Sequence, residues 1–181
     1  MSLPAVVVWL PVALLVAVLM DLWAALLHGK VWHRLLWPVH RSHHTRREGS
    51  FERNDALSAL HVPPAIALIL YGCVGPAGVV REVLYGIGIG ATAFGLAYVI
   101  VHDGLVHRRL PVAFLGRIGW LRTVARAHRV HHAGAQGGAP YGLFFGPIEL
   151  ALHRRLTRSR RGPGARPRGS SGRASTDRAR A

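Results

Sequence analysis

The stretch LPAVVVWLPVALLVAVLM, residues 3–20, decides the fold class because it contains no charged residue. With DLWAALL, residues 21–27, it forms an apolar run long enough to cross a bilayer, for which about 20 residues suffice. We therefore predict a membrane-spanning helix that ends near Leu27. A cleaved signal peptide is the alternative, but signal peptides normally start with a positive charge, and the first basic residue here is Lys30.

Two further apolar runs predict two more membrane-spanning helices, at residues 57–80 and 83–101. Pro63 and Pro64 indicate a late start or a kinked entry for the first of these. A fourth stretch, APYGLFFGPIELAL (139–152), is too short and too interrupted to span, so we expect a re-entrant segment, an interfacial segment or a lid. The predicted fold is all-α, an integral membrane helical bundle with a cytoplasmic histidine-rich helical cap.

Charge predicts how the bundle lies in the membrane. The net charge is +15, and the loops after the first and third apolar runs are rich in arginine. The connection at residues 75–82 carries only Arg81 and Glu82. The positive-inside rule then places the N-terminus outside and both basic loops in the cytoplasm, which gives three crossings of the cytoplasmic membrane.

The C-terminal residues predict a second kind of segment. We place one membrane domain at residues 1–156 and a disordered, arginine-rich tail at residues 157–181, because the tail has almost no large apolar residue. Such a tail favours anionic lipid over nucleic acid as its partner. The single cysteine, Cys73, excludes a disulfide framework, and we expect it to be a small buried apolar residue.

Ten of the twelve histidines fall into two copies of one pattern in the basic segments. Each copy is HxxxxH followed by HxxHH, and each HxxxxH begins at the cytoplasmic end of a predicted span. In an HxxHH the three side chains share one face of a helix. Residues five apart lie about 140° apart on an α-helix, so the HxxxxH pairs need a helix end, a kink or two neighbouring contacts.

The matched histidines predict a centre of two metal ions. Ten imidazoles exceed the four ligands of one tetrahedral zinc, and imidazole also suits iron, copper and nickel. With only eight acidic residues and no ExxH, the chain does not fit a carboxylate-bridged soluble bundle. His61 and His153 lie outside the pattern, and we interpret them as interfacial or solvated. The predicted ligands are His28, His33, His40, His43, His44, His102, His107, His128, His131 and His132.

The motifs resemble those of the membrane-bound fatty acid hydroxylase superfamily of non-haem di-iron enzymes. Within it they look most like the β-carotene hydroxylases, over roughly residues 20–152. The stretches that carry this likeness are REGSFERND (47–55), VHDGLVHRRLPV (101–112), AHRVHHA (127–133) and PYGLFFGPIEL (140–150).

This resemblance implies a carotenoid β-ring 3-hydroxylase, which converts β-carotene to β-cryptoxanthin and then to zeaxanthin. It implies two Fe ions, O2 as co-substrate, and electrons from reduced ferredoxin and its reductase. Because the carotenoid substrate is dissolved in the membrane, we expect the active site where the spans meet the cytoplasm. The arginines near residues 108–129 suggest a docking face for an acidic ferredoxin.

Other side chains are predicted to support this chemistry. Asp103 is the predicted catalytic carboxylate, acting by holding the His102 ring, with an ion pair to a neighbouring arginine as the alternative. Asn54 and Asp55 are expected to hold ligand imidazoles in the same way. The aromatic residues that wall the substrate tunnel, or alternatively anchor the segment at the interface, are Tyr141, Phe144 and Phe145.

The sequence is also compatible with two alternative functions. One is another enzyme of the same superfamily, a lipid or sterol hydroxylase or a carotenoid ketolase, with the same metal site and a different tunnel. The other is a membrane protein that stores or transports metal ions. Transport predicts polar residues along the spans, and these spans contain almost none.

Overall fold

The computed structural model describes residues 5–45, 49, 51–134 and 138–161. Within them the chain is all-α, which confirms the predicted fold class. The α-helices are α1 (Val6–Leu27), α2 (Trp37–His44), α3 (Asp55–Ala59), α4 (Val62–Val74), α5 (Val79–Tyr98), α6 (Gly119–His132) and α7 (Gly146–Arg161).

Two of the long helices end in π-helical turns. His28–Trp32 continues α1, and Val99–Val106 continues α5. A short 3-10 turn at Ala113–Arg117 then leads into α6. The π turns carry HxxxxH motifs, so the irregular helix geometry lies where the sequence pattern required a departure from an α-helix.

Among the residues that the structure describes, three helical stretches are long and apolar enough to cross a membrane: Val6–Trp32, Asp55–Val74 and Val79–Val106. They correspond to the three predicted runs. The second is kinked at its entry, as the prolines predict, because α3 ends at Ala59 and α4 begins at Val62. Large apolar side chains such as Leu14 and Leu70 point outward, which suits a lipid environment.

α5 lies between α1 and α4 and packs on both. Its glycines allow close contact because a side chain there would collide with the neighbouring backbone. A Cβ at Gly86 would lie 2.5 Å from the Trp9 carbonyl oxygen, and one at Gly90 would lie 2.4 Å from that of Ala13. Gly88 faces the other way, against Ala65 in α4.

We expect Gly90→Ala to destabilise the bundle by about 1–3 kcal/mol, because the added methyl group forces α1 and α5 apart. Gly95→Ala in the same helix is the matched control, since nothing lies within 4 Å of a Cβ there. It should be neutral or slightly stabilising. Thermal unfolding of the two purified variants in one detergent tests this, and equal midpoints would contradict it.

One expectation needs revision. Cys73 is exposed, not buried, because three helices leave much of α4 facing outward and an apolar residue there can face lipid. α7 continues to Arg161, since residues 157–161 lack the glycines and prolines that follow, and the division of the chain at residue 156 stays a prediction. The tail from residue 162 lies outside the described residues.

Candidate metal centre

The predicted histidines converge at one end of the bundle and form two groups. Within each group, one nitrogen atom from every ring lies within 4.8 Å of the others. Nine of the ten predicted ligands belong to these groups. His132 lies beside them, with its Nε2 2.9 Å from Nε2 of His128 and its ring stacked on His44. The first group is His28, His33, His40, His44 and His131, and the second is His43, His102, His107 and His128.

The two groups do not follow the two copies of the sequence pattern. His131, from the second copy, joins the first group, and its Nε2 lies 3.1 Å from Nε2 of His33. His43, from the first copy, joins the second group, with its Nε2 3.1 Å from Nε2 of His102. Helices α2 and α6 therefore each contribute histidines to both groups. Neither group can form without the other copy of the pattern.

The π turns bring the HxxxxH pairs together. In each turn the backbone N–H of the second histidine donates to the carbonyl of the first, His33 to His28 and His107 to His102, at 3.0 Å. This i to i+5 bond places residues five apart one above the other, whereas an α-helix would separate them. The Nε2 atoms of His28 and His33 are consequently only 3.2 Å apart.

The Nδ1 atoms of several rings face acceptors outside each group. In the first group, Nδ1 of His28 donates to the Tyr141 carbonyl at 2.8 Å and that of His131 to the Gly138 carbonyl at 2.5 Å. Nδ1 of His40 donates to Oδ1 of Asn54 at 2.6 Å, which fulfils the geometry predicted for Asn54. Since a neutral imidazole carries one proton, these bonds leave lone pairs on Nε2.

Those lone pairs point at one another. The Nε2 atoms of His28 and His40, both protonated at Nδ1, are 3.0 Å apart and have no proton to share. Several converging lone pairs are unfavourable unless a cation lies among them. The donor set, all imidazole nitrogen with outer hydrogen bonds that orient each ring, therefore fits a transition-metal ion.

Burial keeps these rings neutral. Desolvation, reinforced by neighbouring imidazoles, lowers the pKa of His40 to about 3 and that of His44 to about 2. Desolvation likewise lowers the pKa of His131 to about 4. A neutral imidazole is the form that binds a metal, so the rings do not need to lose a proton first.

Carboxylates orient the rings of the second group. Nδ1 of His102 donates to Asp103 at 2.8 Å, and Arg109 approaches the same carboxylate at 3.8 Å. The Asp103 carboxylate therefore contacts both the His102 ring and the Arg109 guanidinium group. Its role towards a bound metal stays a prediction.

The structure does not place Asp55 as expected. Among the described residues, the Asp55 side chain forms no hydrogen bond to a histidine but a two-pronged ion pair with Arg109, at 2.6 and 2.8 Å. Glu52, three residues earlier, takes the expected role and accepts from Nδ1 of His43 at 3.1 Å. The cause is the short α3: it begins at Asp55, which turns this side chain towards the end of the third span.

We expect Glu52→Ala to weaken metal binding by about 10–100-fold, the usual cost of losing a group that orients a ligand histidine. Glu52→Gln should retain part of the affinity because the amide oxygen can still accept from Nδ1. Competition with a chelator of known affinity measures the effect. Glu82→Ala, at the far end of α5, is the control, and equal metal loss in both variants would contradict the assignment.

A loop at residues 138–145 closes one side of the centre. Asp21 accepts hydrogen bonds from the backbone N–H groups of Leu143, Phe144 and Phe145 at 2.8–3.1 Å. Glu149 accepts from those of Tyr141 and the following glycine, at 2.8 and 3.0 Å. The two carboxylates hold the loop so that the Tyr141 carbonyl accepts a hydrogen bond from His28.

An apolar cavity of about 400 Å³ lies among the three spanning stretches. Trp32 and Tyr98 line it at the end nearest the histidines: the Tyr98 ring stacks on His102 at 4.4 Å, and the Trp32 ring lies 5.7 Å from that of His28. The cavity thus reaches residues that contact both groups. Most of the lining is apolar, and the lining residues whose side chains carry a nitrogen or oxygen atom are Trp23, Trp32, Ser58, His61, Thr92 and Tyr98.

The aromatic residues predicted to wall the substrate tunnel do not line this cavity. The Tyr141 ring packs on His28, His33 and His131. Phe144 lies behind the wall, with its ring 6.2 Å from that of Phe94, which does line the cavity. Asp21 anchors the loop that carries these residues against α1, outside the lining of the cavity.

A model of the fatty acid hydroxylase family matches residues 13–152, which include both histidine groups, most of α1, all of α5 and the loop. The chain belongs to the fatty acid hydroxylase family. The resemblance drawn from the histidine motifs is thereby confirmed.

Curated relatives of this fatty acid hydroxylase carry more specific names. It is 48% identical over 134 residues to beta-carotene 3-hydroxylase 1, chloroplastic, of Arabidopsis thaliana, covering 74% of this chain and 43% of that one. It is 39% identical over 143 residues to beta-carotene hydroxylase of Pantoea ananas, covering 77% and 79%. The chain spans less than half the length of the plant relatives, and no solved structure matches it.

Sequence reasoning missed three acidic residues of this fatty acid hydroxylase: Asp21, Glu52 and Glu149. A signal existed for Asp21, because an ionisable residue within an apolar span is a functional candidate by default. No comparable signal distinguished Glu52 from Asp55, since both lie in the segment between α2 and α4, three positions apart. Glu149 acts through backbone N–H groups, which the sequence does not reveal.

Proposed function

We propose that this chain is a carotenoid β-ring 3-hydroxylase that converts β-carotene to β-cryptoxanthin and then zeaxanthin. The observation that carries the proposal is the contact between an apolar cavity open to the membrane region and two convergent groups of imidazoles. Relatives named beta-carotene hydroxylases, from plants, an alga and a bacterium, support the substrate class.

The ten clustered histidines would hold two iron ions, with Asn54, Glu52 and Asp103 fixing the orientation of three of the rings. When bound, iron supplies the O2-activating redox chemistry that no side chain provides, with electrons from reduced ferredoxin. The protein positions the rings, keeps them neutral and limits access of water through the loop at residues 138–145. The same side chains would suit this role for any β-ring substrate.

The cavity suits one end of a carotenoid. Its volume of about 400 Å³ lies near the lower end of the range for a drug-sized ligand, roughly 300–1,000 Å³. It can take a β-ionone ring with part of the polyene, while the rest of a 40-carbon chain stays in lipid. Phe94, Tyr98 and Trp32 would then surround the ring and orient its C3 carbon towards the histidines.

The arginine distribution supports an orientation and two partners. We place the metal centre on the cytoplasmic side, the tail against anionic lipid, and residues 1–156 in the membrane domain. Ferredoxin and its reductase would deliver electrons at the same face. Ferredoxin-supported turnover should therefore fall as ionic strength rises, and a flat salt dependence would count against a charge-steered encounter.

Expression in a bacterium that accumulates β-carotene tests the proposed reaction. We expect β-cryptoxanthin and zeaxanthin in the pigment extract, and only β-carotene from cells that carry an empty vector. Ketones on the ring would indicate a ketolase that uses the same centre. Unchanged β-carotene, from cells in which the protein is present with both metals, would refute the proposal.

We expect Ala91→Phe to lower turnover at least about tenfold, because a benzyl group projecting into the cavity competes with the ring for space. Metal content should not change, since Ala91 contacts no clustered histidine. Ala93→Phe is the matched control, because Ala93 is exposed and does not line the cavity. Equal activity of the two variants would show that the substrate uses another route.

A further inference from the structure

A second pocket, of about 160 Å³, lies outside the metal centre where the third spanning stretch ends. Leu105 from that stretch forms one side, and the 3-10 turn contributes Ala113 and Gly116. The remaining lining residues are Arg108, Arg122, Ala125 and Arg129. Arg122, Ala125 and Arg129 follow one face of α6, at spacings of three and four residues.

These three arginines have no counterion in the described part of the chain. Every carboxylate described there is engaged elsewhere, so none is available to neutralise the pocket. The engaged groups are Asp21 and Glu149 with the loop backbone, Glu52 with His43, Asp55 with Arg109, Glu82 with Arg81, and Asp103 with His102. Like charges around one concavity repel unless an anion is present.

The backbone also holds Arg108 in place. It has a φ of 56°, and among the described residues it is the one non-glycine residue in the left-handed region. This conformation is unfavourable for a residue with a long side chain and is often retained at binding sites.

The surroundings of the pocket point to lipid. Phe114, Ile118 and Trp120 lie within two positions of lining residues in the chain and are exposed by 61%, 51% and 47%. Exposed aromatic and aliphatic side chains beside arginines are typical of a segment that lies in the membrane interface. An acidic protein surface would leave these apolar side chains in water, whereas acyl chains would cover them.

We propose that this pocket binds the phosphate of an anionic phospholipid headgroup, with the acyl chains against Phe114, Ile118 and Trp120. Arginine is suited to the role because its planar guanidinium group forms paired hydrogen bonds to phosphate oxygens. The bound lipid would attach α6, which carries three of the clustered histidines, to the membrane surface. This inference does not depend on which substrate the metal centre oxidises.

Lipid retention by the purified full-length chain in a neutral detergent tests the proposal. The probes are dioleoyl phosphatidylglycerol, dioleoyl phosphatidylcholine and inorganic phosphate, measured by native mass spectrometry and by the shift in unfolding midpoint. We expect phosphatidylglycerol to be retained in preference to phosphatidylcholine. The triple substitution R108Q/R122Q/R129Q should weaken its binding about 100-fold, from about fivefold per arginine.

The matched control is R117Q/R126Q/R154Q, which removes the same charge from exposed positions outside the pocket. The affinity of this control variant for phosphatidylglycerol should stay within about twofold of that of the unmodified chain. Equal weakening by both triples would show only general attraction to anionic lipid and would overturn the proposal. Helix content and bound metal are compared in each variant, and R122Q and R129Q are measured singly if the triple does not fold.

Two other outcomes would also overturn the lipid assignment. If inorganic phosphate raises the unfolding midpoint as much as phosphatidylglycerol does, and displaces that lipid, the pocket is a site for a free anion. A pocket triple that retains phosphatidylglycerol but loses turnover with reduced ferredoxin would make it a protein-docking surface.

Discussion

His131→Ala is expected to remove one of the two proposed metal ions and to lower the proposed hydroxylation at least about 100-fold. His131 is fully buried in the five-histidine group, with a relative exposure of 0%. Its Nε2 lies 3.1 Å from that of His33, and its Nδ1 is held by the Gly138 carbonyl. A removed ligand cannot be replaced by water as readily in so enclosed a position, and losing even a group that orients a ligand costs 10–100-fold.

Metal analysis of the purified chain and pigment analysis of the producing cells measure the two effects separately. His153→Ala is the control, since His153 lies exposed on α7 and belongs to neither group. It should retain both metals and full activity. Two tightly held metals in the His131 variant would contradict the assignment of this residue to the centre.

Asp21→Ala is expected to destabilise the chain by about 3–5 kcal/mol, because three backbone N–H groups would lose a buried charged acceptor. Asp21 is only 2% exposed, and its oxygens lie 2.8–3.1 Å from the nitrogens of Leu143, Phe144 and Phe145. For a domain of this size the loss corresponds to a fall of about 10 °C in the unfolding midpoint. The variant should also lose metal, because the same loop supplies the acceptor for His28.

Asp21→Asn separates charge from geometry. The amide oxygen can still accept from one or two of the N–H groups, so we expect about half the destabilisation. Glu82→Ala removes an ion pair between neighbouring residues and serves as the control, with an expected change below about 1 kcal/mol. If Asp21→Ala unfolds at the same temperature as Glu82→Ala, the loop does not depend on the carboxylate.

The parts of the molecule that could be predicted are those with a local or periodic signal. The three spans follow from uninterrupted apolar runs, because a bilayer requires about 20 such residues wherever they occur. In each HxxHH motif, one in α2 and one in α6, the spacing alone indicated that the three histidines share one face of their own helix. Pro63 and Pro64 likewise indicated a break at the entry of the second span, which lies between Ala59 and Val62.

The cavity and the loop could not be derived in this way. The cavity lies where α1 and α4 pack on opposite sides of α5, in close contact with its glycines. This arrangement involves three segments, so no single segment of the sequence predicts it. The aromatic loop residues looked suitable for a tunnel by composition. Their actual position depends on Asp21, more than 100 positions earlier in the chain.

The sequence by itself determined that the chain is a membrane protein with two matched sets of histidines, since hydropathy and spacing are properties of short segments. Only the tertiary structure decided how the sets combine. His43 joins the histidines of the second set, His131 joins those of the first set, and two π turns bring the members of each HxxxxH pair together. It also decided that Glu52, and not Asp55, orients His43. The physical reason is that ligand geometry depends on the distances between α2, α6 and the span ends, which are set by packing among helices distant in sequence.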